Sequence, residues 1–168
     1  MKLLFLVRHA KSSWDDPTLD DHDRPLNPRG YKNLPGMIHR LDAWQAGPQL
    51  IATSTALRAS ETAYQFAHGL TCQPKLAAHS ELYTESAEEL LSFIQHSSDT
   101  VDRLMLVGHN PAVTELAQSF GMAVENIPTC GVVVFRFAAD CWQAVTGDQA
   151  TLYFYDYPKR EIAHNDGE

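Results

Sequence analysis

Two short apolar runs in this chain end in the same way. Residues 3–7, Leu-Leu-Phe-Leu-Val, lead straight into Arg8 and His9, and residues 103–107 lead straight into Gly108 and His109. An apolar run without alternation suits a strand buried on both faces, as in a parallel sheet covered by helices. Residues 50–53 and 74–77 read as two further short strands. Helices are expected between them and after them, at 28–45, 56–68, 85–96 and 111–120. Asn27 followed by Pro28 is an N-cap with proline at the first helical position, and Gly47-Pro48 breaks the chain after that helix. Ser54 or Thr55 is expected to cap the second helix, with Leu57, Ala63, Tyr64 and Ala67 as its apolar stripe. The third helix should turn Leu90, Leu91 and Ile94 inward. Residues 132–137 and 151–157 read as a closing antiparallel pair. Alternating strands and helices imply an α/β fold, a three-layer α/β/α sandwich whose central sheet is mostly parallel with an antiparallel edge near the C-terminus. Residues 1–158 are expected to form a single domain and 159–168 a flexible tail.

In such sheets ligands bind beyond the carboxyl ends of the strands. Three segments deliver polar residues there: Arg8-His9-Ala10-Lys11, then Ser54-Thr55-Ala56-Leu57-Arg58, then Gly108-His109-Asn110-Pro111. Arginine presents a planar fork that matches two phosphoryl oxygens. Arg58 falls in the first turn of a helix, where free N–H groups also favour an anion. A neutral imidazole can attack phosphorus and carry the phosphoryl group covalently. Neighbouring arginines favour the neutral form of His9, and a second histidine can stabilise charge on the equatorial oxygens. Lys11, Ser12 and Ser13 are candidates to line the same pocket. Trp14, Trp44 and Trp142 read as packing residues, and Asn110 as a cap for the helix that follows it.

Composition narrows the alternatives. The chain has 168 residues, 44% of them apolar, and a formal charge of −8, so it lacks the basic balance of a general nucleic-acid binder. Cys72, Cys130 and Cys141 are odd in number and lack metal-ligand spacing, which points to reduced thiols. His22, His39, His68, His79, His96 and His164 show no HxxxH spacing, so neither a metal nor another cofactor is expected. The apolar run at 3–7 is too short for a secretory signal, and no segment approaches the ~20 apolar residues of a membrane span. The chain reads as soluble and cytoplasmic, with no membrane partner.

The motifs together resemble those of the histidine phosphatase superfamily, which includes phosphoglycerate mutases and many phosphatases. Val7-Arg8-His9-Ala10-Lys11-Ser12 resembles its signature, and Arg24-Pro25-Leu26-Asn27-Pro28-Arg29-Gly30 resembles the segment leading into its first helix. Ala56-Leu57-Arg58-Ala59-Ser60-Glu61-Thr62-Ala63 resembles the second arginine motif, and Gly108-His109-Asn110-Pro111 the second histidine motif. Ile127-Pro128-Thr129-Cys130-Gly131 resembles a segment typical of the short SixA-type phosphohistidine phosphatases. The resemblance implies that His9 is the nucleophile and that Arg8, Arg58 and His109 are catalytic and bind phosphate.

One departure bears on the substrate. Many members of the superfamily carry a general-acid carboxylate in a Leu-x-Glu pattern after the third strand. Here that stretch is Glu81-Leu82-Tyr83-Thr84-Glu85, with Thr84 at the acid's place. Glu81, Glu85 and Asp21 remain as candidates, while Glu85 also reads as a helix N-terminal carboxylate with Thr84 as cap. An alkoxide leaving group needs a positioned acid. A protonated imidazole leaves with a conjugate-acid pKa near ~6.5. The gap therefore favours protein phosphohistidine, with a small phosphorylated metabolite as the alternative and a phosphate-binding module without catalysis as a third reading. The chain is too short for a long lid, so an open site is expected.

Overall fold

A computed structural model describes residues 1–44 and 47–160. Its strands are β1 (Lys2–Arg8), β2 (Leu50–Ser54), β3 (Lys75–His79), β4 (Arg103–Gly108), β5 (Val132–Phe137) and β6 (Ala150–Asp156). The helices are α1 (Pro28–Asp42), α2 (Leu57–Gly69), α3 (Ala87–Gln95) and α4 (Ala112–Ser119). The six strands form one sheet in the order β3-β2-β4-β1-β5-β6. Strands β1 to β4 pair in parallel, β5 runs antiparallel to β1, and β6 antiparallel to β5. This is the mostly parallel sheet with an antiparallel C-terminal edge that the sequence implies.

The sheet splits the core in two by simple alternation. Leu4 and Leu6 of β1 face one side with Leu104 and Leu106, against Leu90 and Ile94 of α3 and Leu116 of α4. Phe5 and Val7 face the other side with Met105 and Val107, against Leu34 and Met37 of α1 and Phe66 of α2. Each central strand is apolar on both faces because helices cover both. The chain moves outward from β1 to β2 and β3, then turns back to place β4 between β2 and β1. The helix after β1 therefore lies on one face and the helix after β4 on the other. A crevice opens between the carboxyl ends of those two strands, the switch point where such sheets bind ligands.

Local expectations hold where the signal is local. Asn27 Oδ1 accepts from Gly30 N at 2.8 Å, which caps α1, and α1 continues past Pro35 to Asp42. Its expected extension to Gln45 lies outside the described residues, as do His164 and the expected tail from residue 161 onward. Three details differ. Ala56 holds the N-cap position of α2 without a side-chain bond, while Ser54 Oγ accepts from Ala56 N at 3.2 Å one step earlier. The apolar stripe expected on α2 is turned: Leu57 and Tyr64 are exposed, and the buried face is Arg58, Ala59, Thr62, Ala63 and Phe66. Helix α3 is capped by Ser86, which accepts from Glu89 N at 3.2 Å, and not by Thr84. Among the described residues, no helix is long and apolar enough to cross a membrane.

Candidate active site

The crevice is a cleft of about 960 Å³ lined by Arg8, His9, Arg58 and His109, and further out by Lys11, Ser12, Ser13, Trp14, Asp21 and Glu85. Backbone bonds hold Arg8 and His9 where the chain leaves the sheet. His9 N donates to Gly108 O at 3.1 Å, so β1 and β4 stay in register one residue past the strand. On the other side Arg8 N donates to Gly131 O at 3.1 Å, and Cys130 N donates to the carbonyls of Arg8 and His9 at 2.9 and 3.0 Å. Cys130 takes a left-handed φ of 61° to do so. Gly131 must be glycine: a Cβ there would meet Ile127 Cγ2 at 2.7 Å and Pro128 O at 2.9 Å. The 127–131 segment thus acts as a clamp on the backbone of the Arg8-His9 pair.

His9 is buried, and its Nδ1 lies 2.7 Å from Ala10 O. A carbonyl can only accept, so Nδ1 carries the proton and Nε2 keeps a free lone pair. Arg58 Nε points at that lone pair from 3.4 Å. Burial lowers the His9 pKa to about 3, opposed by the Ala10 carbonyl and reinforced by the charges of His109, Arg58 and Arg8. The ring is therefore a neutral imidazole at the cleft whose Nε2 accepts from Arg58 Nε. The ring of His109 lies 5.2 Å away, centroid to centroid. Its Nε2 bonds Ser54 Oγ at 2.7 Å. Burial and the Arg58 charge, against Asp21, lower its pKa to about 4. His109 Nδ1 and Arg8 Nε are buried polar atoms without a protein partner. Most buried polar side-chain atoms are hydrogen-bonded, so both call for a partner.

Asp21 organises the far side of the cleft. Arg58 Nη1 donates to its carbonyl at 2.6 Å and Arg58 Nη2 to Oδ2 at 2.9 Å. Tyr83 Oη donates to the same Oδ2 at 2.7 Å, and Arg24 Nε reaches Oδ1 at 3.3 Å. Burial opposes ionisation of Asp21, but the hydrogen bonds of Tyr83 and Arg58 and the arginine charges prevail. They hold its carboxyl well below the usual carboxylate range. Of the three candidate acids, the structure brings Asp21 and Glu85 to the cleft. Glu81 lines a separate depression with Glu89 and His96. Thr84 bonds Glu89 and accepts from Ser86 N.

Sequence reasoning missed several supporting residues. Thr62 Oγ1 accepts from Ala10 N at 2.9 Å and donates to Arg58 O at 2.7 Å, which ties the loop after His9 to the arginine helix. The sequence offers Ser54 only as a helix cap at a strand end and gives Tyr83 no role, because their partners His109 and Asp21 are distant in the chain. Asp21 was considered solely as an acid, although its spacing from Arg24 allows an i,i+3 ion pair. Asn110 Oδ1 accepts from Thr114 N at 3.1 Å, the capping role expected for it. Trp44 packs on Phe5 and Phe154, and Trp142 is buried. Trp14 is not a packing residue, since it stands exposed at the cleft. Among the described residues, no three His, Cys, Asp or Glu side chains gather closely enough to hold a metal ion.

Two arginines and two histidines thus meet in one cleft at the switch point of this sheet. The family described as the histidine phosphatase superfamily, branch 1, matches residues 4–79. An uncharacterized protein of Mycobacterium tuberculosis is 32% identical over 165 residues, covering 91% of this chain and 100% of its own length. A solved structure assigned to the phosphohistidine phosphatase SixA of Agrobacterium tumefaciens superposes with a TM-score of 0.79 at 26% identity, over 94% of this chain and 98% of that one. A mycobacterial glucosyl-3-phosphoglycerate phosphatase superposes at 0.67 with 13% identity, over 90% of this chain and 97% of that one, and shares the fold alone. The chain belongs to the histidine phosphatase superfamily.

Proposed function

We propose that this chain is a phosphatase that works through a phosphohistidine formed on His9 and acts on phosphohistidine carried by protein. The observation that carries the reading is the His9 ring itself. Its Nδ1–H is tied to Ala10 O, and its unprotonated Nε2 accepts only a long bond from Arg58 Nε at 3.4 Å. Nε2 attacks phosphorus in line, the bond from phosphorus to the leaving nitrogen breaks, and the leaving imidazole keeps a proton. Water then attacks the His9 phosphoryl group, phosphate leaves, and Nε2 regains its lone pair. Arg8, Arg58 and His109 bind the phosphoryl oxygens, and positioning and charge stabilisation carry most of the catalysis in such transfers. Arg8 Nε and His109 Nδ1, two of the three buried side-chain polar atoms without partners among the described residues, would be satisfied by those oxygens.

The substrate class rests on the acid. Asp21, the carboxylate that reaches Arg58, is held ionised by its partners and cannot lend a proton to an alkoxide. Transfer from one imidazole to another exchanges like bonds and does not require a dedicated acid. The three cysteines are free, which supports a cytoplasmic setting. His9→Ala is expected to abolish turnover while circular dichroism stays native. Acid-quenched trapping should show a phosphorylated His9 in the wild type. Rates on a phosphohistidine protein should exceed those on sugar phosphates and nucleotides, and a preference for alkyl esters would reverse the substrate assignment.

A further inference from the structure

Among the described residues, Trp14 is the most exposed large apolar side chain, at 75%, yet it is not loose. The guanidinium carbon of Arg24 lies 3.5 Å from its ring centroid. Arg24 is itself buried and donates to Ser12 Oγ at 2.9 Å, Ser13 O at 3.0 Å and Asp21 Oδ1 at 3.3 Å. The chain on either side is pinned as a short ribbon. Ser12 pairs with Leu26, Ser13 N donates to Pro25 O at 2.8 Å, and Asn27 N donates to Lys11 O at 3.0 Å. One face of the indole is thus fixed on a buried cation, and the rest of the ring is open. Packing does not account for a large aromatic ring held in water on a built support. A rigid aromatic surface of this kind suits recognition.

Its position in the cleft specifies what it meets. In-line attack places the leaving group on the side of phosphorus opposite His9 Nε2. His9 and His109 are both buried at the base of the cleft, so the leaving group emerges toward the mouth, where Trp14 stands. We propose that Trp14, backed by Arg24, is the platform of a leaving-group subsite that takes a planar aromatic ring beside the phosphoryl centre. The imidazole of phosphohistidine is the member of that class called for by the function proposed above, on which this assignment rests.

The test compares two P–N substrates that differ only in the ring, N-phosphoimidazole and phosphoramidate. In Trp14→Ala the ratio of their kcat/KM values should fall about tenfold, the worth of one aromatic stack. In Trp14→Phe the ratio should stay within about twofold of the wild type. Trp14→Leu, apolar but not planar, should behave like alanine and decides the matter if the alanine variant fails to fold. An unchanged ratio in these variants, or an equal loss on both substrates, overturns the platform. If the wild type cleaves neither P–N compound, the phosphohistidine reading falls, and the platform is then decided by the ratio for phenyl phosphate over methyl phosphate in the same variants. If no compound is cleaved, both fall.

Discussion

At the level of single residues, the site works by keeping two histidines uncharged in a cluster of cations. In the fold His9 and His109 have pKa values of about 3 and about 4, against 6.5 for the free side chain. Their imidazole resonances should therefore show the neutral form at pH 5.5, and a protonated His9 at that pH would contradict its burial beside the arginines. The same shifts bear on stability. The unfolded chain takes up protons below pH 6.5 that the native chain refuses. Stability contributed by the neutral rings is present above pH 6.5 and is lost as pH falls through 6.5 toward about 4 and about 3. Urea midpoints measured from pH 7 to pH 4 should fall in the wild type and fall less in a variant lacking both rings. Asp21 acts differently, by orienting Arg58 through two hydrogen bonds. Asp21→Asn leaves the shape but weakens the grip, and kcat should drop about 10- to 100-fold, the usual cost of a misplaced catalytic group. KM should change less.

Between elements, the critical joints are short. Thr62 Oγ1 bridges Ala10 N and Arg58 O, and the residue is fully buried. Thr62→Val strands the Ala10 N–H and should cost about 1–3 kcal/mol in chemical unfolding. Gly131→Ala drives a Cβ into Pro128 O, which backbone cannot easily relieve. A loss of about 1–3 kcal/mol is expected, together with slower turnover because the clamp on Arg8 and His9 shifts. These joints also show what could be read in the sequence and what could not. The strands and the start of α1 were legible because apolar runs and an Asn-Pro cap act locally. The inward face of α2 was not, because Arg58 and Thr62 are buried by partners 37 and 52 residues away. The quartet was legible as motifs at strand ends, whereas Ser54, Tyr83 and the stacked Trp14 depend on neighbours that only the folded chain supplies. The strand order was likewise hidden, since no local pattern says that β4 slips between β2 and β1.

Across the whole molecule, charge is sorted against its average. The chain carries 13 Lys and Arg residues and 21 carboxylates. Five of the cations but only Asp15, Asp21 and Glu85 among the acids line the cleft. Such focusing draws an anion toward this cation-rich cleft of an acidic chain. Association should weaken with salt, and kcat/KM for a phosphorylated substrate should fall several-fold between low and about 0.5 M ionic strength. A flat response would mean that the cations act only at contact. The clamp at residues 127–131 has a consequence in time as well. The carbonyl of Gly131 and the amide of Cys130 are made long after the Arg8-His9 backbone that they hold. At ~5–20 residues per second, on the order of ten seconds of synthesis separate the two. A nascent chain thus carries the His9 ring long before the segment that fixes its backbone exists, and the clamp closes only when the antiparallel edge is in place.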